Sequence, residues 1–355
     1  MENNKKSVVV GLSGGVDSAT AAALLIDAGY RVIGVTLSMW QAEHDMTENE
    51  ASPDERYTDA KRVADHLKIP WLLIDVKDDF YQKVVSYYTE SLKIGITPNP
   101  CIVCNKTVKW QILLEAASQN GADHVATGHY ARRHGHQTIQ LLKAKDLQKD
   151  QSYFLSILGQ RELQHTLFPL GEYTKQEVRK IAEGKKLPVA ARKESQDLCF
   201  LGGMDQAEFI TRFAPGMVSK GDIYHADGHL LGSHNGMAFY TIGQRKGINI
   251  AYASALYVIQ KDYQKNRLIV GEKELLGKTG LIAGGINWVS GKAPGEKFSA
   301  TVKIRYRSVE KNCKITILPD EKIAVQFGQS LRDITPGQAL VMYQKDVCLG
   351  MGFIE

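Results

Sequence analysis

Cysteine is scarce in this chain. Five residues, at positions 101, 104, 199, 313 and 348, form an odd and widely spaced set. Such a set does not suit the disulfide framework of a small secreted domain and points to a reducing, cytoplasmic address. No apolar run approaches the roughly 18 residues that cross a bilayer. Met1 to Lys6 leads straight into Ser7-Val8-Val9-Val10 and a glycine loop, so neither a signal peptide nor an anchor is expected, and no membrane partner. Low-complexity tracts and repeats with a period of about 20 to 50 residues are also missing, which sets solenoids aside. Excess charge is small: 44 Lys and Arg oppose 39 Asp and Glu. The resulting +5 does not by itself establish a nucleic-acid partner.

What is present is ordinary globular material, 43% hydrophobic and 23% charged, which excludes disorder and collagen. Size scaling for the 355 residues gives roughly 57,000 Å² of unfolded surface and roughly 14,000 Å² when folded, enough burial for a sizeable core. About two or three domains are expected.

Ser7 to Leu12 reads as a buried strand, Ser18 to Ala28 as an alanine-rich helix and Arg31 to Leu37 as a second strand, a βαβ unit. A helix opening at Pro53, with Asp54 and Glu55 in its first turn, is expected to run to Leu67 before Ile69-Pro70 stops it. Trp71 to Val76 continues as strand. Helices around Phe80 to Leu92 and from Cys104 to about Asn120, then a strand at His124 to Thr127, keep the alternation. The fold class predicted is α/β, a doubly wound, mostly parallel sheet. Beyond about residue 200 glycine turns and strands take over. Asp227-Gly228 signals a hairpin, and Ala255 to Lys261 with Arg267 to Gly271 a second around Asn266. Six short segments follow, Gly285 to Val289, Phe298 to Tyr306, Cys313 to Leu318, Lys322 to Phe327, Ala339 to Tyr343 and Val347 to Ile354, which favour a small barrel. The domains expected are 1–201, α/β; 202–276, small, central and mainly β; and 277–355, a C-terminal β-barrel.

Gly11-Leu12-Ser13-Gly14-Gly15-Val16-Asp17-Ser18 lies between the first strand and the first helix. Backbone N–H groups at a helix start form an anion site, and glycines let a phosphate approach them. The lysine of G-x-x-x-x-G-K-[ST] is missing, which disfavours γ-phosphate transfer of the P-loop type. The octet resembles the pyrophosphate loop of the ATP pyrophosphatase superfamily, in which ATP is split to AMP and pyrophosphate and the adenylyl group activates a carbonyl oxygen. Met39 falls just after the second strand, at the carboxyl edge where open α/β sheets bind ligands.

Two prolines in Thr97-Pro98-Asn99-Pro100-Cys101-Ile102-Val103-Cys104-Asn105-Lys106 fix an extended approach to a helix. Cys104 is expected at or just before that helix's first turn, where the dipole, Lys106 and Lys109 would favour a thiolate. Cys199 follows Arg192-Lys193-Glu194-Ser195-Gln196-Asp197-Leu198 in a charged loop, whereas Cys313 and Cys348 alternate with apolar residues as small buried hydrophobes. No second CxxC or histidine pair completes a zinc site for Cys101 and Cys104. A redox pair and an iron-sulfur centre on Cys101, Cys104 and Cys199 stay open.

The glycine loop, the NPCxxCN segment, Ala126-Thr127-Gly128-His129-Tyr130-Ala131-Arg132, Lys149-Asp150-Gln151-Ser152-Tyr153-Phe154, Ser195-Gln196-Asp197-Leu198-Cys199-Phe200 and Tyr240-Thr241-Ile242-Gly243-Gln244-Arg245-Lys246-Gly247 occur in order. Together they resemble the bacterial tRNA-specific 2-thiouridylases along nearly the whole chain. That resemblance implies an enzyme that uses ATP and Mg²⁺ to adenylate the 2-oxygen of the wobble uridine of tRNA, then replaces it with protein-bound persulfide sulfur. It assigns the persulfide to Cys199 and the nucleophile that releases sulfur, or closes a transient disulfide with Cys199, to Cys104. It implies ATP contacts at Gly11 to Ser18, Met39 and Gly128, and target-base contacts at Asn99, Pro100 and Cys101. It implies tRNA contacts at His129, Lys149, Asp150, Gln151, Arg305, Tyr306 and Gln344. A cysteine desulfurase or sulfur-relay protein is the implied donor, and a monomer the expected state. Cys101 departs from the family pattern, where aspartate is usual; a tolerated variant, a resolving thiol and a cluster ligand all stay open.

A thiolate-derived sulfur suits this chemistry because it depends least on a strong base at neutral pH. Lys303, Arg305, Arg307, Lys311 and Lys314 around Tyr306 in one predicted hairpin provide phosphate partners beside an aromatic ring. Two other readings compete: a related ATP pyrophosphatase with a nitrogen nucleophile, for which Cys104 and Cys199 would be dispensable, and a non-catalytic tRNA-binding or sulfur-carrier paralogue, for which a damaged loop would be expected.

Overall fold

The computed structural model describes residues 6–42, 57–193, 198–332 and 334–355. The chain opens with β1 (Ser7–Gly11), α1 (Val16–Asp27), β2 (Arg31–Ser38), α2 (Thr58–Leu67) and β3 (Trp71–Asp75). The start expected at Pro53 lies outside the described residues. Next, α3 (Lys77–Phe80) and α4 (Ser86–Lys93) are joined through a π-helical turn, Tyr81–Val85. A second such turn, Asn105–Lys109, joins α5 (Pro100–Cys104) to α6 (Trp110–Gln119). Then follow β4 (His124–Ala126), the hairpin β5 (Arg132–His134) and β6 (Gln140–Leu142), α7 (Ser152–Leu155), α8 (Gln160–Gln164), β7 (Thr166–Leu167), α9 (Lys175–Gly184) and α10 (Gln206–Phe213).

The first sheet is parallel with order β3-β2-β1-β4-β7. Its continuous Val8-Val9-Val10 run is buried on both faces because side chains alternate. Val9, Ile33, Val35 and Val125 pack beneath Trp110 and Leu113 of α6, while Val8, Val10, Val32 and Ala126 meet Ala19, Ala22 and Ala23 of α1 and Val63 of α2. Each fully buried aliphatic side chain contributes roughly 1.5–3 kcal/mol. β1 pairs with β2 on one side and β4 on the other, so the winding reverses between β1 and β4. A crevice is therefore expected beyond their carboxyl ends. The loop after β1 and Gly128 after β4 lie there.

In the central unit β8 (Gly221–His225) and β9 (Leu230–His234) form the hairpin signalled by Asp227-Gly228, with Gly228 at φ +99°. β10 (Tyr257–Asp262) and β11 (Arg267–Gly271) form the second, with Asn266 at φ +48°. β11 also runs parallel to β8, joining the two hairpins in one sheet.

The last six strands are β12 (Lys278–Trp288), β13 (Lys297–Lys303), β14 (Lys311–Leu318), β15 (Lys322–Leu331), β16 (Ala339–Gln344) and β17 (Val347–Ile354). They close into a barrel because β12 pairs with both β15 and β17. The first of these strands begins at Lys278, earlier than Gly285. Gly285, at φ +59°, sits where β12 changes partner from β15 to β17 and its register shifts. Sequence patterning missed the β5–β6 hairpin, whose Leu141 and Leu142 pair with Cys348 and Val347 of β17 and extend the barrel's sheet into the N-terminal unit. Val341, Tyr343 and Met351 accordingly share one core with Trp110, Tyr153 and Leu155. No helix among the described residues is long and apolar enough to cross a membrane.

Candidate active site

The glycine loop is braced from within. The Ser13 N–H donates to Ser18 Oγ at 3.1 Å, and that hydroxyl donates to the Gly15 carbonyl at 3.1 Å. Gly14 has φ +71°, a conformation that favours glycine, and Gly15 caps α1 without any side-chain hydrogen bond to the first turn. The helix thus presents N–H groups that no cap side chain occupies, with its dipole behind them. Leu12 and Val16 are in the core, so they can meet a ligand only through backbone. Asp17 faces away from the loop. Its carboxylate accepts from Tyr130 Oη at 2.7 Å and pairs with Lys175 Nζ at 2.7 Å. Gly128 packs so closely that a Cβ there would lie 2.6 Å from Ser18 N. Met39 is partly buried against Phe80, Phe200 and their neighbours.

Asn99 caps α5, its Oδ1 accepting from the Ile102 N–H at 3.4 Å, and Pro100 occupies the first helical turn. The approach is held by the barrel. Gln338 Nε2 donates to the Thr97 and Pro98 carbonyls at 3.0 and 3.2 Å, and the Thr97 N–H donates to Pro336. Cys104 consequently falls at the end of α5, a full turn beyond the position expected from sequence. It is buried among Tyr88, Val108 and Phe200, and burial pushes its thiol up to about 12. The expected thiolate is therefore corrected: Cys104 ends α5 rather than starting it, and desolvation outweighs the pull of the Lys109 ammonium in the resting protein. Lys106 does not assist, because it pairs with Glu162 at 3.1 Å.

Lys109 is the cation that faces the sulfurs. Burial also raises the Cys101 thiol, and the protein packed around the surface-exposed Cys199 raises that thiol as well; in each case the Lys109 ammonium pulls the other way. Desolvation lowers Lys109 itself, but Cys104, Cys199 and Cys101 together outweigh it and hold the ammonium above its ordinary value. The three cysteines are free, and they influence one another electrostatically around this single charge. Cys104 lies just before the π-helical turn Asn105–Lys109, and Lys109 ends it. Such turns recur at functional sites. Cys199 is exposed, but its turn is anchored by buried Phe200, whose carbonyl accepts from the Ala42 N–H at 2.8 Å. Cys313 and Cys348 are buried in the strands, as expected. Among the described residues no group of three or more His, Cys, Asp or Glu side chains is arranged to hold a metal ion, so the cysteine trio does not fit an iron-sulfur centre in this conformation.

His129 bonds Thr127 Oγ1 through Nδ1 at 2.8 Å, and burial, then Lys109, lower it to about 3, so it is neutral at physiological pH. Asp150 and Gln151 turn inward: Asp150 accepts from the Ala144 and Ser152 N–H groups at 3.0 and 3.1 Å, and Gln151 Oε1 from the Tyr130 N–H at 2.9 Å. Lys149 is half-buried and Gln344 exposed at the β16–β17 turn. Arg305 donates to Ile242 O at 3.0 Å and to Thr335 Oγ1, bridging barrel and central unit, while Tyr306 packs on Phe154 with ring centroids 4.4 Å apart. These two therefore begin as domain-bridging residues. Sequence reasoning missed Arg192, whose Nη1 donates to the Gly14 carbonyl at 2.9 Å and pairs with Asp59 of α2. Its position 178 residues from the loop left no local signal.

The family described as tRNA methyl transferase HUP domain matches residues 6–203. The tRNA methyl transferase PRC-barrel domain matches 207–272, and the aminomethyltransferase beta-barrel domain 278–354. The tRNA-specific 2-thiouridylase MnmA of Syntrophotalea carbinolica is 41% identical over 355 residues, covering 100% of each chain. That of Proteus mirabilis is 41% identical and covers 100% of this chain and 98% of its own. A solved 4-thiouridine synthetase, in complex with RNA and with bound ATP, covers 55% of this chain and 44% of its own at 19% identity and a TM-score of 0.37, too distant to bear on function. A parallel sheet ending in a capless glycine loop, three thiols around one lysine, a closed barrel and full-length identity of 41% agree: the chain belongs to the tRNA-specific 2-thiouridylase family.

Proposed function

We propose that the chain is a tRNA-uridine 2-sulfurtransferase that converts the wobble uridine of tRNA to 2-thiouridine, consuming ATP and releasing AMP and pyrophosphate. The observation that carries this reading is that Cys101, Cys104 and Cys199, the last far from the other two in sequence, all lie within electrostatic reach of Lys109, just after the segment Asn99–Cys101 that would meet the base. A uridine carbonyl oxygen is a poor leaving group, so it is first adenylated: the O2–Pα bond forms as the Pα–O bond to pyrophosphate breaks. Loop residues Gly11 to Ser18, with Met39 and Gly128 beside them, hold the nucleotide, and Mg²⁺ enters with its phosphates.

Cys199 then carries the persulfide. Exposed on an anchored turn, it is the thiol a donor protein can reach. The terminal sulfur adds to C2. Cys104 next attacks the inner sulfur; its S–S bond to Cys199 forms, the old S–S bond breaks with its electron pair going to the C2 sulfur, and AMP departs. A dithiol reductant resets the pair. Cys104 is protonated at rest, so Lys109 is the charge that steadies the thiolate as its proton leaves. Cys101 stands in the same field as a spare thiol, a resolving residue in place of a carboxylate. Lys149 and Gln344 would meet tRNA directly, whereas His129, Asp150, Gln151, Arg305 and Tyr306 are engaged within the protein and would meet it only by giving up those partners; the barrel, 277–355, would grip RNA and the first 201 residues would do the chemistry.

Mass spectrometry of tRNA incubated with ATP and a persulfide source tests the reading. Wild type should add one oxygen-to-sulfur exchange and Cys199→Ser should not; thiolation by Cys199→Ser equal to wild type would overturn the relay.

A further inference from the structure

The glycine loop contains no lysine or arginine, and the two nearby lysines are committed elsewhere. Lys175 is neutralised by Asp17, and Lys109 faces the thiols. The cation that reaches the loop backbone comes from a distant segment. Arg192 Nη1 donates to the Gly14 carbonyl at 2.9 Å, while Asp59 holds the same nitrogen from α2. The arginine side chain is 50% exposed and the aspartate 33%. Its Nη2 and Nε have no partner among the described residues. A guanidinium carries five donors in a planar fork suited to phosphate oxygens, so most of its capacity is unspent.

We infer that Arg192 is the phosphate-gripping cation of the nucleotide loop, parked on Asp59 in the empty protein and transferred to the pyrophosphate moiety when nucleotide binds. The inference rests on the loop being the nucleotide site. It adds the group that holds the leaving pyrophosphate. As the uridine O2–Pα bond forms and the Pα–O bond breaks, the electron pair leaves with pyrophosphate, and the added negative charge falls on the oxygens nearest Gly14 and Arg192. Charge developing at a fixed cation is where electrostatic stabilisation is largest. Arg192 also lies seven residues before Cys199, so the segment that carries sulfur is tethered at the same point that senses pyrophosphate.

A purely bracing role makes a different prediction. If Arg192 only propped the loop through Asp59, removing either partner would weaken phosphate binding. If Asp59 competes with phosphate for the guanidinium, the two removals have opposite signs. The test is calorimetric binding of inorganic pyrophosphate to the full chain in EDTA, with thermal unfolding of each variant in parallel. Arg192→Gln should weaken binding about 10- to 100-fold, the loss of a charge-assisted contact. Arg192→Lys should recover part of it, and Asp59→Asn should tighten binding several-fold. Asp59→Asn weakening binding as Arg192→Gln does, or Arg192→Gln binding like wild type, would overturn the inference alone. A wild-type chain that binds neither pyrophosphate nor ATP would overturn the nucleotide-loop reading and this inference with it.

Discussion

Replacing Gly128 with alanine tests how closely β4 is built against the nucleotide loop. The new Cβ would lie 2.6 Å from Ser18 N, 2.7 Å from the Asp17 carbonyl carbon and 3.0 Å from Ser18 Cα. All three are backbone atoms, so no flexible side chain can swing aside. Ordinary contact begins near 3.4 Å, so the start of α1 must retreat by about 0.8 Å. Overpacking of this kind costs about 1–3 kcal/mol. In a unit of about 200 residues that lowers Tm by roughly 2–12 °C. The larger effect should be on ATP. Moving the N–H groups of the first turn that far lengthens their bonds to an anion, and losing one charge-assisted bond of about 1.5–3 kcal/mol weakens affinity about 10- to 150-fold. Gly221→Ala is the control, since its Cβ would strike the Asn266 carbonyl at 2.2 Å in the central unit. It should lower Tm and leave ATP affinity alone. Calorimetric titration with ATP and a melting curve read both quantities. Wild-type ATP affinity in Gly128→Ala, or an equal loss in Gly221→Ala, would refute the placement of the nucleotide against Gly128.

Two further outcomes follow from the site. With Cys101 and Cys199 changed to serine, iodoacetamide labelling of Cys104 should rise only toward alkaline pH, its midpoint held above that of an ordinary thiol by burial; Lys109→Met should move that midpoint higher, because the lost ammonium favoured the charged form, and Lys109→Arg should restore it, whereas a midpoint indifferent to Lys109 would refute the charge's role. Gln338→Ala removes both donors that hold the Thr97 and Pro98 carbonyls, about 1–3 kcal/mol of local stabilisation, so hydrogen exchange across residues 96–104 should accelerate about 5- to 100-fold; unchanged exchange would mean that the barrel does not position the segment.

The α/β layout was legible because Val8 to Val10 and Val32 to Val35 are unbroken apolar runs between helical patterns, and because glycine and proline mark their ends. The barrel was legible from alternation in six segments. The β5–β6 hairpin was not, since Arg132-Arg133-His134 reads as polar loop and acquires strand geometry only by joining Leu141 and Leu142 against β17. Cys104 illustrates a second limit. Its local sequence, with helix start and lysines, argues for a thiolate, yet Tyr88 and Phe200 bury it from elsewhere in the chain. Lys106 is nearer to Cys104 in sequence than Lys109, yet folding sends Lys106 to Glu162 and leaves Lys109 to act on the sulfurs. Arg192 needed the loop and α2 brought together before its partners existed.

The shared sheet at β17 has a consequence for modularity. Three units can be told apart by sequence family, but β6 completes its hydrogen bonding only on β17, and Tyr153 of the catalytic unit donates to Ala339 of the barrel at 2.8 Å. Cutting the chain at the family boundary would leave an open strand edge on one fragment and a bared apolar wall on the other, the combination that drives edge-to-edge aggregation. Such a protein cannot trade its C-terminal barrel for another as beads on a string do. Any change in the barrel's outer surface must keep the face that seats β6 and Tyr153.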